Sequence, residues 1–282
     1  MENKVNKFLF PFITLLGMLS ACTDVIEIDA PLTEARLVVD GWIYDDRDVQ
    51  TVVLTSSTAY FEDSPQPPET NATVVVTNAG GGSFSYTEVE PGVYEADFRG
   101  EVGNTYTMTI ETSNGTRYVS DPQVLLAVPA LDAVYALFIE SPEVEEEDEG
   151  LYPAWDFVDP EGVDNFYRWK FYVNGIFLND PDNLLIFSDE FVDGEVLDSA
   201  YFTVGLDPLV SGDSLVVEQL SLTEEARDFF ARVRQITVNV GGLFDTPPDP
   251  VRGNFINVMD DENYALGFFG ASSIVRSSTK VE

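Results

Sequence analysis

Histidine is absent from this chain of 282 residues, and cysteine occurs once, as Cys22. The missing imidazole removes the commonest general base and metal ligand near neutral pH. Ser-His-Asp and Cys-His catalysis are thereby excluded, and so are zinc sites that need histidine. A single thiol cannot form an internal disulfide. Basic residues are scarce as well: 14 Lys and Arg stand against 50 Asp and Glu, a formal net charge of −36. A surface of that sign repels phosphate backbones and anionic membrane faces, so no nucleic-acid partner is expected, while cationic partners or divalent ions would suit it. Apolar runs are short, and none reaches the ~20 residues that a membrane-spanning helix needs. Walker, dinucleotide and zinc-finger spacings are missing, and Gly80-Gly81-Gly82 lacks the Lys-Ser/Thr of a phosphate loop. What survives is carboxylate-only chemistry, such as glycoside hydrolysis, or an all-oxygen calcium site.

Core-forming material is plentiful. Hydrophobic residues make up 44% and aromatics 12%, too rich a mixture for a disordered acidic tail. The N-terminus reads as an export segment over residues 1–21. Lys4 and Lys7 precede an almost wholly apolar stretch at positions 8–19, of signal-peptide length. Leu19-Ser20-Ala21-Cys22 follows it and is similar to the lipobox of bacterial lipoproteins. That resemblance implies cleavage before Cys22 and acylation of its thiol and new amino group, which would anchor the chain, since each buried CH₂ contributes about 0.8 kcal/mol. Cleavage would remove Lys4, Lys7 and Glu2 and leave a net charge of −37. Residues 22–33 then form a lipidated tether. Its Asp24, Glu27 and Asp29 resemble the acidic surface-export signals of some Bacteroidota lipoproteins, which implies exposure on the cell surface.

From residue 34 the hydrophobic pattern has period two. Leu37, Val39, Gly41 and Ile43 share one face of a strand, with Arg36, Asp40 and Trp42 on the other. Val52 and Leu54, Val74 and Val76, Tyr94 and Ala96, and Tyr106, Met108 and Ile110 repeat the alternation. Asn114-Gly115 is the strongest hairpin signal. Short strands at this spacing predict an immunoglobulin-like antiparallel β-sandwich over residues 34–128. A second β-rich domain is expected over 129–282, opening on Tyr167, Trp169, Phe171 and Val173 and turning at Asn174-Gly175. One helix is expected near 222–238. Ser221-Leu222-Thr223-Glu224 reads as its capping box, and Ala226, Phe229, Phe230 and Val233 as its buried stripe. Gly241-Gly242 would end it, and Pro247-Pro248-Asp249-Pro250 reads as a stiff loop.

The segments ARLVVDGWIY (35–44), VGNTYTMTI (102–110), NFYRWKFYVNG (165–175) and the tail at 247–271, together with a lipobox followed by an Ile-Asp tract, resemble one family. It is the Bacteroidota lipoproteins of domain-of-unknown-function family 4249. The family has no assigned catalytic residues, so the resemblance transfers none. Its genes tend to lie beside TonB-dependent outer-membrane receptors, which implies a receptor as partner and the outer membrane as location.

Several local constellations remain. Asp45-Asp46-Arg47-Asp48 and Asp180-Pro181-Asp182-Asn183 could hold a cation, but each reads better as a solvated loop, as does the acidic run at 141–150. Ser199 and Ser214 lie in Asp-Ser-apolar tripeptides similar to Bacteroidota O-glycosylation acceptors; ordinary turns fit them equally well. With so many acids, some carboxylate pair must fall at glycosidase separation by chance. The expected function is therefore that of a non-catalytic accessory lipoprotein, with no cofactor, no metal and Cys22 as its lipidation site. The alternatives are a glycan- or peptide-binding module with Trp42 or Tyr60 as aromatic platforms, and a carboxylate glycosidase.

Overall fold

The computed structural model describes residues 35–58, 64–238 and 250–282. Cys22, the tether, Tyr60, Gly241-Gly242 and positions 247–249 lie outside the described residues. The protein is mostly β, with a single α-helix among the described residues.

Two sheets form the first sandwich. One has the order β18-β1-β2-β6-β5 and the other β17-β8-β7-β3-β4. Here β1 is Leu37–Tyr44, β2 Val49–Ser56, β3 Thr73–Asn78, β4 Ser83–Ser85, β5 Thr87–Glu90, β6 Val93–Asp97, β7 Thr105–Glu111 and β8 Arg117–Ser120. The strand β9 is Gln123–Val124, which also pairs with β7; β17 is Phe255–Asn257 and β18 Leu266–Ser272. Alternation places Leu37, Val39, Ile43, Val52, Leu54, Val74, Val76, Met108 and Ile110 in one buried cluster between the layers. Each buried aliphatic side chain contributes about 1.5–3 kcal/mol by leaving water. Gly41 faces the same core because a Cβ there would come within 3.2 Å of Met108 Cε. The Asn114-Gly115 hairpin forms between β7 and β8, with Gly115 in the left-handed region at φ +86°.

The second pair of sheets has the orders β10-β11-β15 and β13-β12-β16-β19, with β14 paired to β12. These strands are β10 Leu131–Ile139, β11 Gly150–Val158, β12 Phe166–Val173, β13 Ile176–Phe177, β14 Leu185–Ser188, β15 Val196–Tyr201, β16 Ser214–Leu222 and β19 Ile274–Lys280. Trp155, Phe157, Tyr167, Trp169 and Phe171 fill the space between them. Asn174 (φ 52°) and Gly175 (φ 79°) both take positive φ, the signature of a type I′ turn joining β12 to β13.

The expected boundary near Pro129 falls between β9 and β10, and the chain later returns across it. β17 pairs antiparallel with β8. β18 then pairs parallel with β1, and β19 pairs with β16. Both layers of the N-terminal sandwich are therefore completed by C-terminal strands. The crossing point is locked by buried serines. Ser272 Oγ donates to the Ser221 carbonyl at 2.7 Å, and Ser221 Oγ accepts from the Ser273 amide at 2.9 Å while donating to the Leu126 carbonyl at 2.7 Å.

The helix α1 spans Glu224–Val238. Its start corrects the capping-box reading: Ser221 lies inside β16, and Thr223 is the cap. Thr223 Oγ1 accepts from the Ala226 amide at 3.2 Å and donates to Gln123 Oε1 at 2.9 Å. Strand pairing continues to Leu222, so the helix begins two residues later than a Ser221 cap requires. Ala226, Phe229 and Phe230 are buried against Phe268 and Leu222.

Candidate functional site

The acidic loop after β1 is a structural tie, a correction to its reading as solvated. Asp45 accepts from the Ser273 hydroxyl and from the Ile274 amide, and Asp46 pairs with Arg276 at 2.8 Å and Arg47 at 2.9 Å. These bonds fasten the β1–β2 loop to the start of β19. At 180–183, Asn183 is buried and its Nδ2 donates to the Val204 and Gly205 carbonyls at 3.2 and 3.0 Å. Trp42 is likewise no open platform. It stacks on Phe230 at 5.6 Å and tilts against Phe268 at 5.9 Å.

Of the two glycosylation candidates, Ser199 is exposed on β15, where its Oγ accepts from Tyr135 Oη at 2.9 Å and its amide donates to Asp156 at 2.7 Å. Ser214 is the exposed first residue of β16 and its amide donates to Asn174 Oδ1 at 3.0 Å. Neighbouring Asp213 accepts from the Val210 amide and from Asn174, and these bonds hold its carboxyl below the ordinary range.

Sequence reading did not single out Asp159, Asp189 and Asp193. The structure gathers them with carboxylate oxygens within 4.8 Å of one another. They come from the loop after β11 and the loop between β14 and β15. Asp159 accepts from Tyr167 Oη at 2.6 Å and from the Gly194 amide at 3.2 Å. Asp189 accepts from the Asn165 amide at 2.8 Å, and Asp193 from the Gly162 amide at 2.6 Å. Asp159 and Asp189 are buried. Desolvation, opposed by its hydrogen bonds and reinforced by the two neighbouring carboxylates, raises the pKa of Asp159.

Three carboxylates could contribute to a calcium shell, but such a shell takes six to eight oxygens, roughly, and these are engaged by N–H and O–H donors. The buried pair is equally shielded from a sugar ring. What the arrangement does is clasp two loops together. Asp159 N donates to the Glu195 carbonyl at 3.0 Å and Asp189 N to the Asn165 carbonyl at 3.2 Å, completing the lacing. On the clasped loops stand exposed apolar side chains. Phe191 is 89% exposed and Val163 more than half exposed, and Val196, which opens β15 just beyond, is more than half exposed too. Exposed Glu161, Asp164, Glu190, Asp193 and Glu195 flank them along the same loops. No pairing signal in the sequence could have joined two loops that lie about a strand pair apart.

Residues 23–278 match the family described as Domain of unknown function (DUF4249). The chain belongs to this family. No curated protein matches it. Among solved structures, it is similar to a DUF4785 family protein from Legionella pneumophila, at 11% identity and a TM-score of 0.24 over 66% of this chain. The aligned region spans about half (52%) of that protein's length. A score at that level lies below a shared fold.

Proposed function

We propose that this member of the DUF4249 family is a non-catalytic lipoprotein, anchored through Cys22 in the outer membrane and facing the cell surface. It serves there as an accessory subunit of a TonB-dependent receptor in nutrient uptake or assembly. The observation that carries this reading is Phe191, an aromatic side chain 89% exposed on a loop pinned by the Asp159–Asp189–Asp193 clasp. Burying such a ring in a partner contributes about 1.5–3 kcal/mol. Because the clasp already orders the loop, little conformational entropy is lost on binding. The acidic flank, in a chain of net charge −36, favours a basic surface around the receiving pocket and speeds encounter at low salt.

The binding-module alternative is weakened by Trp42, which is stacked rather than displayed. Gentle detergent extraction and purification through a C-terminal tag test the proposal. The expected result is a β-barrel receptor recovered in near-stoichiometric amount, and its loss with Phe191→Glu. Elution of the protein alone at low and moderate salt contradicts it.

A further inference from the structure

On the face of β12 turned away from the aromatic core, Arg168 and Lys170 lie two residues apart. Neither side chain makes a hydrogen bond or an ion pair among the described residues. The nearest anions, Asp40 and Glu218, act on Arg168 only from beyond pairing distance, and Glu218 is held by Arg276 at 2.9 Å and by Tyr172 Oη at 3.1 Å. Arg168 Nε is shut off from solvent with no hydrogen-bond partner. Its guanidinium lies 4.3 Å above the Phe230 ring. The Lys170 ammonium sits 5.9 Å from the Phe177 ring and 6.0 Å from that of Tyr44. A cation inside a protein normally has an anion beside it, because desolvation otherwise disfavours its charge. Burial, and Arg168 next to it, accordingly push the Lys170 ammonium down to about 8.

Arg168 also lines a cavity of about 240 Å³ whose other walls include Phe177, Leu178, Leu184, Phe230 and Val233. Most of the wall is apolar; Asn179, Asp180, Asn183 and Thr237 also line it, and Asp180 forms no ion pair with Arg168, which is the cavity's one cationic side chain among the described residues. A guanidinium fork matches a carboxylate through two parallel hydrogen bonds, and the aromatic and aliphatic walls would cover an apolar body. The helix stripe explains why Phe230 and Val233 are there, and β12 alternation explains Arg168. Neither accounts for leaving its Nε buried with no hydrogen-bond partner among the described residues. We propose that this cavity is a binding site for a small carboxylic acid with an apolar body, its carboxylate held by Arg168 and attracted by Lys170. The inference is independent of the receptor reading, since it concerns a different surface from Phe191.

Octanoate is a suitable probe and octanamide its neutral control. Titration of the detergent-extracted full chain, followed by calorimetry and by the fluorescence of Trp169 on the cavity wall, should show saturable octanoate binding. Octanamide should bind about tenfold more weakly or worse. Arg168→Gln should lose octanoate binding by at least about tenfold, and Arg168→Lys should retain part of it. Circular dichroism of each variant confirms folding; should Arg168→Gln not fold, Lys170→Met gives the second arm, with a smaller loss expected. Equal binding of acid and amide, octanoate binding unchanged in both variants, or no saturable binding of either probe up to about 10 mM would overturn the proposal.

Discussion

Replacing Phe229 by alanine probes the joint between the helix and the sheets. Phe229 is 9% exposed, its ring lies 4.9 Å from that of Phe268 and 5.6 Å from that of Phe230, and Leu222 and Ala226 complete the cluster. Truncation removes most of a buried ring and leaves a cavity that β18 cannot close by moving, because its backbone is hydrogen-bonded to β1 along seven residue pairs. The expected cost is about 3–5 kcal/mol. Roughly 0.5–1.5 kcal/mol of that belongs to the aromatic pairing rather than to area. For a unit of this size each kcal/mol lowers the melting temperature by about 2–4 °C, so a fall of roughly 6–20 °C is expected. Thermal melts followed by circular dichroism, and urea titration followed by tryptophan fluorescence, measure it. Trp42 reports directly, since Phe230 stacks on it. A melting temperature within about 2 °C of the parent, with unchanged emission, would refute the claim that the stripe is a structural joint.

Two further substitutions test other links in the account. Gly253→Ala should be severely destabilising, at or beyond the upper end of the usual ~1–3 kcal/mol for overpacking, because a Cβ there would overlap the Gly267 carbonyl oxygen and wedge β18 off its neighbours; wild-type stability in urea would show that this close approach is not required. Lys170→Met should stabilise the chain at pH 7. The lysine is harder to protonate when folded, so its penalty is fully present below pH about 8 and fades as pH rises toward its ordinary 10.5, where the unfolded chain has lost its proton too. The gain should be at most about 3 kcal/mol at pH 7 and shrink toward zero above pH 10.5. Urea midpoints at the two pH values measure it, and a gain equal at both would rule out a charge origin.

Strand existence and facing were legible because they depend on period-two patterning over short windows. The inward set Leu37, Val39, Ile43 and the opposing Tyr106, Met108, Ile110 came directly from alternation. The turns at Asn114-Gly115 and Asn174-Gly175 were legible because positive φ is nearly confined to such residues. The tail at 247–271 supplies β17 and nearly all of β18, but its residues do not name β8 and β1 as their partners. Nothing local encodes which sheet edge a strand joins when its partner lies more than a hundred residues away, as it does for both pairings. The capping residue was misplaced by two positions because Ser221 and Thr223 carry the same local signal and only the continued pairing of β16 decides between them. Asp45 read as a solvated loop because its partners, Ser273 and Ile274, are remote in sequence. The same holds for the Asp159–Asp189–Asp193 clasp and for the unpartnered Arg168: in an acidic chain, no count of charges reveals which ones meet.

The central claim, that a clasped and acid-flanked Phe191 is the contact through which this lipoprotein joins a receptor, is tested most directly by site-specific photo-cross-linking. A photoreactive phenylalanine analogue is placed at position 191, and at Val102, a residue 52% exposed, as a control, in cells that express the full chain. The account predicts one discrete adduct with a TonB-dependent β-barrel receptor from position 191 and none from position 102. No receptor adduct from position 191, or equal labelling from both positions, would contradict it.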